Sequence, residues 1–160
     1  MSSEDSHNWV ISAFTYFYAY FNAVAEEIGL AKATALDTQV SEMFGTRNGQ
    51  VIKEETGLDV IDLATSVDLL YTTIEEQVGI SSEVVEEDSQ RIVSRIGRCP
   101  IYEAAQAMEM DNEAIEANCR ASMIHYMDTM IKQFNPDLSC RLVKFRTSAD
   151  DHCIEEVVLG

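Results

Sequence analysis

The sequence predicts an α+β domain, mostly helical, that closes on a small three-stranded antiparallel sheet. Three observations carry that expectation. Apolar residues recur at helical spacing through most of the first 78 positions. The chain then becomes rich in β-branched residues from Gln90 to Cys99. Two further β-branched or aromatic runs, Cys140–Thr147 and His152–Leu159, flank a short polar turn. At 160 residues there is material for one domain with its own core, so residues 1–160 are read as a single domain with 1–7 disordered.

The first helix is expected over 8–28. Trp9, Val10, Ile11, Phe14, Phe17, Phe21, Val24 and Ile28 cover most of its circumference, and a helix apolar all round is buried on several sides or lies in a subunit interface. A homo-oligomer formed through this helix is therefore expected. Gly29 ends it. A second helix over 30–44 carries Leu36, Val40 and Phe44 and stops at Gly45, and the dipeptide Asn48-Gly49 reads as a turn. Asp59 is placed as the cap of a third helix, 60–78, which Gly79 closes. A strand over 90–98 leads into a helix over 100–109 with Pro100 in its first turn. Asp111 caps a long helix over 112–134 that Asn135-Pro136 terminates. Strands over 140–147 and 152–159 join 90–98 in one sheet covered by the helices.

Charge narrows the range of partners. Twenty-eight acidic against eleven basic side chains give a formal charge of −17, a field that repels phosphate backbones and anionic lipid surfaces, so no nucleic-acid partner is expected. The N-terminus shows no secretory pattern, and a cytoplasmic location is expected. Asn8 to Ala25 run without charge over the length of a short membrane span. Ser12, Thr15, Asn22 and three tyrosines make the stretch too polar, and no Lys or Arg anchors its flanks.

Four cysteines, Cys99, Cys119, Cys140 and Cys153, lack the close pairs of a zinc ribbon, and an isolated intracellular thiol is most simply a small buried hydrophobe. Position argues for more in three cases. Cys99 stands where a strand meets a helix N-terminus, whose free N–H groups stabilise a thiolate. Cys119 shares an inward helix face with Ile115, Ser122, Met123 and Tyr126, and Cys153 opens the last strand. His125 is paired with Asp128 one turn on, and His7 belongs to the disordered start. Phosphate-cradling loops, Gly-x-Ser-x-Gly and His-Glu-x-x-His are all missing from the sequence.

Three stretches and one residue carry a resemblance. They are Arg98-Cys99-Pro100-Ile101-Tyr102-Glu103-Ala104-Ala105, the mid-helix Cys119, Asn135-Pro136-Asp137-Leu138, and the closing Phe145-Arg146-Thr147-Ser148-Ala149-Asp150-Asp151-His152-Cys153. Together they resemble the C-terminal part, about residues 98–159, of the L-2-amino-thiazoline-4-carboxylic acid hydrolase-like family. The resemblance implies hydrolytic opening of a small cyclic amidine that bears a carboxylate, with Cys99, Cys119 and Cys153 in the places of the family's cysteines. On that reading Cys99 is the nucleophile and Asp150 or Asp151 the acid–base group. Arg98 and Arg120 adjoin matched cysteines and, with Arg146, Cys119 and Tyr126, contact the small carboxylate-bearing substrate, a guanidinium fork matching a carboxylate. Two alternatives stay open. One is a non-catalytic small-ligand or metal-binding module, similar to 4-vinyl reductase-type domains, in which Cys99, Cys119 and Cys153 hold zinc or iron. The other is a helical interaction protein built on the aromatic first helix.

Overall fold

Two long helices open the computed structural model, which describes residues 3–160: α1 over Ser3–Ile28 and α2 over Leu30–Thr56. Gly29 separates them at φ +90°, a backbone region that residues with a Cβ rarely enter. After α3 (Leu63–Val78) comes the hairpin β1 (Ser82–Glu87) and β2 (Arg91–Ile96). Next are α4 (Pro100–Ala107), α5 (Asn112–Cys119), a π-helical turn over Arg120–Ile124, and α6 (His125–Phe134). A second hairpin, β3 (Leu138–Lys144) and β4 (Cys153–Leu159), closes the fold. The four strands pair antiparallel in the order β1-β2-β4-β3.

Several boundaries differ from the sequence expectation, each for a visible reason. Residues 3–7, expected to be disordered, are the first turns of α1, and His7 is buried with its Nε2 3.2 Å from the Glu103 carboxylate on α4. Residues 1 and 2 lie outside the described residues. The helix expected to stop at Gly45 continues through Asn48-Gly49 to Thr56. Gly45 and Gly49 are buried one turn apart against α6: a Cβ on Gly45 would lie 2.5 Å from the Tyr126 carbonyl oxygen, and one on Gly49 2.6 Å from that of Met130. They are glycines because two backbones meet there, and that packing overrides their turn propensity.

The cap of α3 is Asp62 rather than Asp59. Its carboxylate accepts from the Thr65 N–H (3.0 Å) and hydroxyl (2.8 Å), while the Ile61 N–H donates to the Phe134 carbonyl (3.1 Å) and keeps the preceding residues out of the helix. The sheet has four strands where three were expected. β1 is an exposed edge carrying Glu83, Glu86 and Glu87, with a bulge between Val84 and Glu86. Those features guard an edge against further pairing, and they also hide a strand from any search for apolar alternation.

The core lies between the inner sheet face and the helices and includes Leu70, Ile74, Ile92, Ile96, Met127, Phe134 and Val157. α1 buries Tyr18 and Phe21 but leaves Trp9, Tyr16 and Tyr20 at 69 %, 75 % and 63 % exposure. Among the described residues, no helix is long and apolar enough to cross a membrane.

Candidate functional site

Side chains alternate between faces along a strand, so the adjacent Glu155 and Glu156 of β4 have opposite surroundings. Glu156 faces Arg141 Nε at 2.5 Å and Arg91 Nη1 at 3.6 Å. Glu155 shares the inner face with Cys153 and Val157 and is buried, accepting a 2.9 Å hydrogen bond from the Tyr71 hydroxyl. Burial pushes its carboxyl up to about 7, opposed by the Tyr71 hydrogen bond and the positive charge of Arg146.

Arg146, just beyond β3, is 2 % exposed. Its Nη2 donates to the carbonyls of Ile96 (3.2 Å) and Gly97 (2.5 Å), its Nε points at Cys153 Sγ (3.4 Å), and its Cζ stands 5.3 Å from the Tyr102 ring centroid. These contacts fix the guanidinium at the β2–α4 junction. No carboxylate among the described residues forms an ion pair with it. A buried cation in that condition is receptive to an anion.

Glu155 and Arg146 line an interior cavity of about 40 Å³. Cys99, Cys119 and Cys153 line it too, with Tyr18, Tyr71, Tyr102 and Phe145 and a set of Ile and Met side chains. Cys140 is buried elsewhere in the core. The π-helical turn decides which residues of the long helical rod face this space. Ile115, Cys119, Met123 and Met127 all line it at intervals of four, which a straight α-helix would carry off one face. The wider i→i+5 turn retards that drift. It also opens the backbone at Ala121, whose carbonyl accepts from the Thr38 hydroxyl of α2 at 2.9 Å. Tyr126, expected beside Cys119, consequently lines a neighbouring groove and holds Asn48 Nδ2 at 2.8 Å. That groove, about 310 Å³, lies against α1, α2 and the π-helical turn and shares Tyr18, Ile101 and Met123 with the cavity.

The thiol chemistry differs from the expectation. Cys99 caps α4, and the N–H groups of Ile101 and Tyr102 and the charge of Arg146 do favour its thiolate. Burial is the larger effect and pushes the thiol up to about 11. Cys119 is raised well above the usual range, also by burial first. Both shifts disfavour the thiolate that a cysteine nucleophile needs. No group of three or more His, Cys, Asp or Glu side chains among the described residues is arranged to hold a metal ion, so the three cysteines line one cavity without forming a ligand set.

Other expected site residues lie outside the cavity. Asp151 sits at the hairpin tip, accepting from Lys144 Nζ (2.9 Å), the Thr147 N–H (2.9 Å) and the Thr147 hydroxyl (3.1 Å), bonds that hold its carboxyl far below the usual range. With Asp150 and Arg98 it borders a surface depression. Arg98 pairs with Glu103 at 2.9 Å. Arg120 pairs with Glu116 at 2.7 Å and donates to the Leu142 carbonyl at 3.0 Å. His125 Nε2 lies 3.8 Å from a carboxylate oxygen of Glu42, and Asp128, its expected partner, binds Lys132 and the Cys140 N–H. Glu155 reads from the sequence as a surface partner for the strand arginines rather than as a site residue, and Tyr71 carries no site signal. The available signal was parity: a carboxylate between Cys153 and Val157 on the inward face of the last strand.

Comparison with known proteins adds to this geometry. No curated relative matches the chain. Among solved structures, trafficking protein particle complex subunit 3 from Naegleria fowleri, covalently bound to palmitic acid, superposes with a TM-score of 0.64 at 12 % identity, covering 99 % of this chain and 97 % of that one. The phenol-responsive sensory domain of the transcription activator PoxR, with phenol, gives 0.60 at 13 % identity over 91 % of this chain and 74 % of that one. At such identity these similarities describe the fold. The family model for L-2-amino-thiazoline-4-carboxylic acid hydrolase matches residues 9–154, which takes in the helical first half as well as the motifs after Arg98. On that match, which takes in the helices, β1 to β3 and the first two residues of β4, the chain belongs to the L-2-amino-thiazoline-4-carboxylic acid hydrolase family.

Proposed function

We propose that the interior cavity binds a small carboxylate-bearing cyclic amidine of the kind that names the family, and that the chain hydrolyses it. The observation that carries this reading is the pair of ionisable groups in the cavity wall: Glu155, whose carboxyl titrates near neutrality, and Arg146, buried without a carboxylate partner among the described residues. A group poised near the working pH serves in turn as base and acid. Glu155 takes a proton from water as the water oxygen bonds to the amidine carbon. It returns that proton to the leaving ring atom as the ring bond breaks, so one water is consumed and no other reactant is needed. Arg146 receives the substrate carboxylate, and Tyr71 orients Glu155. The three thiols shape the wall. In this reading water replaces Cys99 as the nucleophile, and Glu155 replaces Asp150 and Asp151 as the group that moves protons. The cavity alone has room for about three waters, so a ring reaches past Tyr18, Ile101 and Met123 into the groove.

Incubation of L-2-amino-thiazoline-4-carboxylate with the protein should yield a product heavier by one water in a mass spectrum. Glu155→Gln should lower turnover about a hundredfold or more with the fold retained. Unchanged turnover in that variant, or none in the wild type, overturns the reading. A second reading, a non-catalytic pocket for a small organic molecule, is favoured by the cavity lining, where only Arg146 and Glu155 are carboxylate or guanidinium groups. Both structural neighbours carry such a molecule, palmitic acid in one and phenol in the other. Saturable binding without any product would select it. The exposed Trp9, Tyr16 and Tyr20 stripe of α1 supports the expected contact between copies, for which light scattering should give twice the chain mass; a monomer at high concentration rejects it.

A further inference from the structure

The groove beside the cavity holds a carboxylate that the chain does not neutralise. Asp37 lies on its wall, with Asn118 Nδ2 at 3.4 Å, and no Lys, Arg or His among the described residues forms an ion pair with it. Burial raises its carboxyl above the ordinary value. Tyr18, 1 % exposed, lines the same groove, and its hydroxyl has no hydrogen-bond partner among the described residues. Tyr18 lines both the groove and the cavity. A half-buried carboxylate left in this state costs free energy, and a ligand that donates hydrogen bonds recovers it.

The rest of the wall states what such a ligand looks like. Phe14 and Phe17, edge to face with centroids 6.2 Å apart, stand with Phe44 and Tyr126 around the space. Aromatic faces attract cations as well as apolar surface. The volume, about 310 Å³, is at the lower end of small-ligand pockets, and a net charge of −17 concentrates cations at the molecule. An anion has no guanidinium or ammonium to meet in this groove.

We propose that the groove is a binding site for an arylalkyl amine, its ammonium held between the Asp37 carboxylate and the Tyr18 hydroxyl and its ring against Phe14, Phe17 and Phe44. Groove and cavity then select opposite charges, and this site stands whether or not the cavity is catalytic.

Calorimetry with 2-phenylethylamine, and with 2-phenylethanol as its neutral counterpart, tests the proposal. The amine should bind saturably and more tightly than the alcohol. Asp37→Asn should weaken the amine about tenfold or more, as expected for loss of a charge-assisted hydrogen bond, and leave the alcohol unaffected. Tyr18→Phe should weaken the amine by a smaller factor. Retained circular dichroism confirms that the variants are folded; should Asp37→Asn fail to fold, the amine–alcohol difference and Tyr18→Phe decide. Absence of saturable amine binding overturns the proposal, as does equal affinity for amine and alcohol. Amine binding lost in Glu155→Gln but kept in Asp37→Asn overturns it too, by placing the amine in the cavity.

Discussion

Replacing Gly45 or Gly49 by alanine sets two effects of opposite sign against each other, and the structure says which is larger. In an exposed helix interior alanine is favoured over glycine by about 1 kcal/mol. At Gly45 the new Cβ meets the Tyr126 carbonyl oxygen at 2.5 Å and Thr129 Cβ at 3.1 Å; at Gly49 it meets the Met130 carbonyl oxygen at 2.6 Å and Gln133 Cγ at 2.8 Å. A rotamer change relieves neither carbonyl contact, so α6 itself has to move. Overpacking of this kind costs about 1–3 kcal/mol, and contacts on backbone belong to the upper half of that range. Each variant should therefore lose about 1–2 kcal/mol net, seen as a lower urea midpoint at unchanged slope. Ala35→Gly, at an exposed position of the same helix, calibrates propensity alone and should lose about 1 kcal/mol. A raised midpoint for Gly45→Ala or Gly49→Ala would mean that α2 and α6 do not approach this closely, and the placement of Met127 in the cavity wall would go with it.

Other expectations concern the ionisable groups. Glu155 is raised in the folded state from an ordinary 4.5 to about 7, so its contribution to stability is complete below 4.5 and lost as pH rises through 7, roughly 3 kcal/mol in all. Thermal unfolding at pH 5 and pH 8 should show a smaller pH dependence in Glu155→Gln than in the wild type; equal dependence refutes the assignment. Tyr71→Phe removes a hydrogen bond that favours the carboxylate, so the Glu155 midpoint, followed by NMR of its side-chain carbon, should move up; a downward move contradicts the geometry. With its thiol at about 11 against an ordinary 9, Cys99 should react with iodoacetamide at pH 7.5 about a hundredfold more slowly in the native protein than in urea, measured by peptide mass mapping. Rapid native labelling would restore it as an activated nucleophile.

The helices were legible in the sequence wherever a stripe of apolar residues met a cap. Asp111 caps α5 through the Ala114 N–H at 2.8 Å, Pro100 begins α4, and Gly79 ends α3 in the left-handed conformation. The sequence misleads where a residue serves tertiary packing instead of its local preference. Asn48-Gly49 is a turn dipeptide in isolation and a helix-crossing point here, a difference made by α6, some 80 residues away in the chain. β1 has no inward apolar face to announce it. The π-helical turn has no sequence mark either, and by inserting one residue it exchanges Tyr126 for Met127 at the cavity. Proximity in sequence to a cysteine was a poor guide to the site, since it selected Arg98 and Arg120.

What separates Arg146 from those two is whether a carboxylate meets it. In a chain this acidic a surface guanidinium readily finds one: Arg91, Arg95, Arg98, Arg120 and Arg141 each pair with a glutamate. Such pairs are screened by water and contribute little to stability or to chemistry. Arg146 is carried inside by the turn after β3, where the carbonyls of Ile96 and Gly97 hold it but do not cancel its charge. Glu155 is its counterpart, turned inward by strand parity while Glu156, one residue on, is neutralised from both sides. Charges removed from water and not matched by a close partner interact strongly with whatever ion enters, because little solvent remains to screen them. That is why the functional reading rests on these two side chains, and why replacing either should change ligand affinity far more than replacing any of the paired surface arginines.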